Sequence, residues 1–180
     1  GEDPLPAGRS VSALAELCEQ LEHYTDEVLE LRYSAAGDPL GAPRLPDSGT
    51  PLDDVLVSLV ATRRRIDRVE ELLSEAVQAR GRIRRLTDHV EAQASNAWDE
   101  AVTTDPRISS GSFVAPKEKY AQANLATMSL RRQVVEAKAA LSRADDAVEI
   151  IRQAHRGLDS LRYDHVVMIR AATVLNSLEV

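Results

Sequence analysis

Apolar and small residues return every three or four positions along most of the chain. Between 55 and 76 they are Val55, Leu59, Thr62, Ile66, Val69, Leu73 and Ala76, and the register continues through Ile83, Thr87, Val90, Ala94, Ala97 and Ala101. This period marks one helix face turned to a core. Thr50 as N-cap, Pro51 at the first helical position and Asp53 in the first turn form a start signal. No proline falls between 52 and 105, so the pattern predicts a single helix of about 50 residues, roughly 75 Å long at 1.5 Å per residue. Gly81 is its soft point, since an interior glycine costs about 1 kcal/mol relative to alanine.

A return helix is predicted from Pro116, with Tyr120, Ala123, Thr127, Leu130, Val134, Ala137, Leu141, Ala144, Val148 and Ile151 on a matching seam. Heptads sustained this far specify helix-on-helix packing with a left-handed twist. The knobs are often alanine, which brings the axes close but buries little apolar area per turn. A third helix or other subunits must supply the rest. Near Gly157 the seam reaches His155, Arg162 and His165. Moving the register to Leu158, Leu161, His165, Met168, Ala172 and Leu175 predicts a kink or break near 157, with Asp159 or Ser160 capping a last helix.

Ahead of these arms, residues 1–9 read as a disordered lead and Ser10 or Ser12 as the cap of a first helix over 10–36. Its seam is Leu14, Leu17, Leu21, Tyr24, Val28 and Leu31, and its outward face is acidic at Glu16, Glu19, Glu22, Asp26, Glu27 and Glu30. Three heptads are marginal alone in water, so this helix must dock. Residues 37–49, with three prolines and three glycines, read as a linker that could fold it back onto the arms or let it reach a neighbouring subunit. A tip loop is predicted over 103–115, bringing Trp98, Tyr120 and Phe113 together as a small aromatic core. The fold class expected is all-α, without β-sheet: residues 50–180 form a long antiparallel, coiled-coil-like helical hairpin, joined by the N-terminal helix.

Composition agrees with this pattern. The chain of 180 residues holds one Trp, four Tyr and one Phe, too few aromatics for a sheet protein. The lone Cys18 excludes an intramolecular disulfide framework. No apolar run reaches membrane-spanning length, and no signal-peptide pattern opens the chain. A cytoplasmic location, in a bacterium or a phage-infected host, is the expectation.

Charge divides the chain. The net −7 separates into −9 over residues 1–59, where three arginines face twelve acids, +4 over 60–86, where eight arginines face four acids, and −2 over the remainder. The positive stretch holds two clusters, Arg63, Arg64, Arg65 and Arg68, then Arg80, Arg82, Arg84 and Arg85, to which Arg131 and Arg132 on the facing arm could add. Guanidinium groups suit phosphate oxygens and bind without reading bases, so these ten are candidate nucleic-acid contacts. Alternatively they pair with Asp67, Glu70, Glu71 and Glu75 at helical spacing and form a solvated face. Leu14, Leu17, Leu21, Val28 and Leu31 of the first helix, with Met168, Ile169 and Leu175 near the C-terminus, are the candidate oligomerisation residues.

Catalytic chemistry finds no foothold. His155, Asp159, Asp164 and His165 lack the spacing of a metal or acid–base site and read as histidines satisfied within the fold. No phosphate loop or nucleophile elbow occurs. No catalytic residue, metal ligand or cofactor is therefore expected, and the protein reads as non-enzymatic.

The basic helix at 80–85, the Gly/Ser loop at 109–112, the return helix opening with Tyr120 after Lys117 and Lys119, and the apolar segment from Leu158 to Val180 follow one another in an order that resembles the UvsY-type recombination mediators of bacteriophages, over about 110 residues. The resemblance implies a homo-oligomeric, ring-like assembly that loads a RecA-like recombinase onto single-stranded DNA covered by a single-strand-binding protein. The acidic first helix and acidic balance depart from that pattern. They keep open a second reading, a structural or adaptor coiled coil, such as a virion or scaffold component, with no nucleic-acid role.

Overall fold

The structure, a computed structural model, describes residues 7–33, 51–104 and 116–178. Almost all of these are helical, and no strand occurs among them. The helices are α1 (Ala7–Tyr33), α2 (Leu52–Thr103), α3 (Pro116–Ala126) and α4 (Met128–Leu178). The lead over 1–6, the linker, the Thr50 cap and the tip loop with Phe113 lie outside the described residues.

α2 forms as the pattern requires, as one uninterrupted helix of 52 residues. The carbonyl of Pro51 accepts its first bonds, from the amides of Asp54 and Val55. At the far end the hydroxyls of Thr103 and Thr104 donate to the carbonyls of Asp99 and Glu100, 2.6 and 2.7 Å away, the Glu100 carbonyl also accepting from the Thr104 amide at 2.8 Å. α3 and α4 meet at Thr127, through which the helical bonding continues: its amide donates to the Ala123 carbonyl and its own carbonyl accepts from Arg131.

Two expectations are corrected. α1 begins at Ala7, so neither Ser10 nor Ser12 stands at its start. Ser10 lies one step up the stripe of Leu14, Leu17 and Leu21 and is fully buried, so packing overrides its capping preference. α4 also runs through Gly157 without a break. The buried stripe moves from Ala137, Ala144 and Val148 to Ala147, Ile151, Ala154, Leu158, Leu161 and His165. A helix of 3.6 residues per turn drifts about 20° per heptad, which carries the stripe past His155 and Arg162 without a kink.

The chain divides into two compact units, Gly1–Glu19 with Ala79–Asp145, and Gln20–Gln78 with Asp146–Val180. In the first, Thr87 Oγ1 lies 3.3 Å from the Ala137 carbonyl and Trp98 stacks on Tyr120 at 5.7 Å. Later positions on α2 therefore meet earlier ones on α3 and α4, the antiparallel pairing expected. Its seam is thin: Ala79, Ala94, Ala101, Ala123, Ala137, Ala140 and Ala144 are all buried. In the second unit the same pairing joins Ser58 to His165 and Glu70 to His155. There Leu21 and Val28 of α1 are buried with Leu72, Val69, Ile151 and Leu158, so the third helix comes from the same chain.

Gly81 and Gly157 predict different outcomes. A Cβ on Gly81 would meet only the tip of Arg85, at 3.7 Å. On Gly157 it would lie 2.7 Å from Arg32 Nε and 3.3 Å from its Cζ, displacing a guanidinium that stacks 5.0 Å from the Tyr33 ring. Gly81→Ala is expected to raise stability in urea by about 1 kcal/mol, and Gly157→Ala to gain none of it. Equal gains would show that Arg32 moves freely.

Candidate nucleic-acid interface

Arginines adjacent in sequence do not share a helix face, because successive side chains are about 100° apart. In the unit containing residues 20–78, Arg63 and Arg64 are exposed, whereas Arg65 is only 7% exposed. Arg65 lies on a buried 4-3-4-3 repeat running Ser58, Thr62, Arg65, Val69, Leu72 and Ala76. Its Nη1 donates to the Leu31 carbonyl at 2.5 Å. Leu31 sits in the last turn of α1, where carbonyls lack helical partners and the helix dipole favours a cation.

Arg68, one turn further along, grips the same helix. Its Nε and Nη2 donate to the two Glu27 carboxylate oxygens at 2.7 and 3.2 Å, and Nη1 to Glu71 at 2.9 Å. The Glu27 carboxylate first, and Glu71 after it, raise the Arg68 guanidinium above its ordinary range. A cation raised in the folded state contributes its stabilisation below the unfolded value and loses it only as pH climbs past the folded one. Both values lie above the working pH range, so titration of Arg68 leaves the contribution constant there. The side chain is 42% exposed, and a pair so open to water contributes no more than about 1 kcal/mol.

In the other unit, Arg80 is half-buried and 3.7 Å from Asp145. Arg82, Arg84 and Arg85 are exposed, and no acid lies within ion-pair distance of them among the described residues. Asp88 is the acid at helical spacing from Arg84 and Arg85, but it lies C-terminal to them, the weaker orientation for such a pair. Arg131 donates to Asn124 Oδ1 at 2.8 Å, and Arg132 is exposed beside it. Of the ten candidates, then, Arg65, Arg68 and Arg80 are engaged with the rest of the fold, and Arg131 with a neighbouring amide.

The candidate oligomerisation residues separate as well. Leu14, Leu17, Leu21 and Val28 are buried within the chain, and Leu31, Met168 and Ile169 are half-buried. Leu175 is exposed, together with Val167, Val174 and Leu178 on the same helix. Trp98 packs with Val102 on buried Ala101 and Ala123 and stacks on Tyr120, so two of the three aromatics expected there meet, Phe113 lying outside the described residues.

The histidines do not converge. His155 Nε2 lies 3.0 Å from Glu70, Asp159 pairs with Arg162 at 2.8 Å, and fully buried His165 lies 3.0 Å from the Ser58 hydroxyl. Among the described residues no group of three or more His, Cys, Asp or Glu is placed to hold a metal ion. No helix there is long and apolar enough to cross a membrane. Compared with protein-family models, curated proteins and solved structures, the chain matches none.

Sequence pattern missed the role of Arg65, although its place in the repeat was readable. It also missed the pairing of Glu27 with Arg68, which depends on where α1 docks. Alanine substitutions should rank these roles in urea denaturation. Arg65→Ala is expected to cost about 1.5–3 kcal/mol, the range for a hydrogen bond to a charged group. Arg68→Ala should cost at most about 1 kcal/mol, and Arg63→Ala less than about 0.5 kcal/mol. A loss at Arg63 as large as at Arg65 would contradict the assignment.

Proposed function

We propose that this protein is a non-enzymatic, self-associating helical protein that contacts nucleic acid through Arg82, Arg84 and Arg85. The observation that carries the reading is that these three side chains, within one turn of α2, are exposed and unpaired among the described residues, in a chain of net charge −7. Phosphate oxygens are the ligands for which such a group is suited, giving affinity without sequence preference. Arg63 and Arg64 offer a smaller set in the other unit. The exposed apolar residues Val167, Val174, Leu175 and Leu178 support self-association.

The most specific form follows the resemblance to UvsY-type mediators: a protein that helps load a recombinase on single-stranded DNA, with the recombinase or a single-strand-binding protein as partner, in a bacterial or phage-infected cell. A structural or adaptor coiled coil is the second reading. It is favoured by Arg65, Arg68 and Arg80, which serve the fold itself.

Fluorescence anisotropy with a labelled single strand tests the proposal. With three or four phosphates neutralised, raising salt from about 50 to 200 mM should weaken binding roughly 20- to 50-fold, from a slope near −0.7 per phosphate. Replacing Arg82, Arg84 and Arg85 together by Glu should abolish binding while circular dichroism stays helical. Absence of binding at low salt, or binding indifferent to salt or to the triple substitution, selects the adaptor reading.

A further inference from the structure

An open groove of about 870 Å³ runs between α2 and the α3–α4 arm, within the unit formed by residues 1–19 and 79–145. Ala94, Trp98, Met128 and Val135 make its apolar surface, and Arg131 and Arg132 stand on it. The groove exists because the seam beneath it is alanine and threonine, Ala94, Ala101, Ala123 and Thr127. Two helices joined by so thin a line leave their larger side chains at the edge: Met128 is 53% and Val135 67% exposed. The one acid lining the groove, Glu91, is neutralised by Lys138 at 2.6 Å. Arg131 is held by Asn124. The charge left on offer is positive, above an apolar floor.

A phosphate backbone would satisfy the arginines and leave the floor wet. A helix that is apolar along one edge and acidic along the next would cover both. The outward side of α1 is such a surface. Val11 and Ala15 are exposed one turn apart, and Glu16 and Glu19 follow on the same side, with no basic partner among the described residues. Its opposite stripe, Leu14 and Leu17, is already buried in its own chain. The outward side of α1 is therefore available only to another molecule.

We infer that the groove receives the outward face of α1 from a second copy of this chain, with Val11 and Ala15 on Met128 and Val135, and Glu16 and Glu19 on Arg131 and Arg132. The two surfaces differ, so the contact pairs unlike patches, which closes a dimer if made reciprocally and extends head to tail if not. The inference deepens the self-association part of the proposed function and is independent of the nucleic-acid part.

Sedimentation of the full chain without nucleic acid tests it. At about 50 mM salt the mass should exceed the 19.7 kDa of one chain, and at about 500 mM, where charges are screened within about 4 Å, it should fall back toward it. Arg131→Glu with Arg132→Glu should give a monomer at low salt, and so should Glu16→Arg with Glu19→Arg. The chain carrying all four changes should associate again. Met128→Ser, on the floor, should weaken association at least tenfold without reversing charge, and circular dichroism checks that each variant stays folded. A wild type monomeric at low salt, an assembly indifferent to these substitutions, or a fourfold variant that stays monomeric would overturn the inference. In the second case self-association itself stands, through another surface. Anisotropy with the single strand reports separately on Arg82, Arg84 and Arg85.

Discussion

Everything in this fold answers to the thinness of the alanine seam. Ala76, Ala79, Ala94, Ala101, Ala137, Ala140, Ala144, Ala147 and Ala154 are buried where a coiled coil of comparable length would carry leucine or isoleucine. Each such exchange forgoes several methylenes, at about 0.8 kcal/mol apiece. Two helices so joined gain close approach but little transfer free energy, and α1 supplies the missing apolar cover with Leu14, Leu17, Leu21 and Val28. Once α1 is required, its ends must be satisfied. That requirement draws Arg65 inward to the Leu31 carbonyl in the last turn, while Arg68 pairs with the Glu27 carboxylate on the flank of the same helix. Helix composition thus determines which arginines remain for a partner.

The polar residues of the core follow from the same economy of space. Thr62, Thr87, Ser58 and Thr127 are buried at seam positions, small enough for the close helix approach. Thr87 and Thr127 each donate to the carbonyl four residues back, at 2.8 Å, so their hydroxyls are satisfied locally and carry no desolvation penalty into the interface. His165 is the largest polar side chain that is fully buried, and Ser58 opposite it is small enough to bring a hydroxyl to its ring. This pairing belongs to the buried core of its unit.

Much of this was legible in the sequence. The 3-4 spacing, the start at Pro51 and the antiparallel pairing across Trp98 and Tyr120 all rest on local periodicity, which a single helix pair obeys. Illegible was whatever depends on a third helix. Ser58, Arg65, Leu72 and Ala79 are seven residues apart and all buried, a second stripe that a two-helix seam does not need and a three-helix core does. Counting one stripe placed Leu73 in the core and left Arg65 among the exposed cations. The break foreseen at Gly157 failed for a related reason: a strict 3.5 repeat was extrapolated over a helix that drifts, and the glycine instead makes room for Arg32. Of the site, the exposed arginines were visible and their selection was not.

The acidic balance of the chain is compatible with a phosphate-binding role, because electrostatic reach is short. At physiological salt the screening length is about 8 Å, so Arg82, Arg84 and Arg85, lying within one helical turn, reinforce one another while more distant carboxylates are attenuated. The exposed acids of α1 would still repel a polyanion approaching that helix. Burying Glu16 and Glu19 against Arg131 and Arg132 of a second copy removes opposite charges in pairs, leaving the net charge per chain unchanged but altering which charges face solvent.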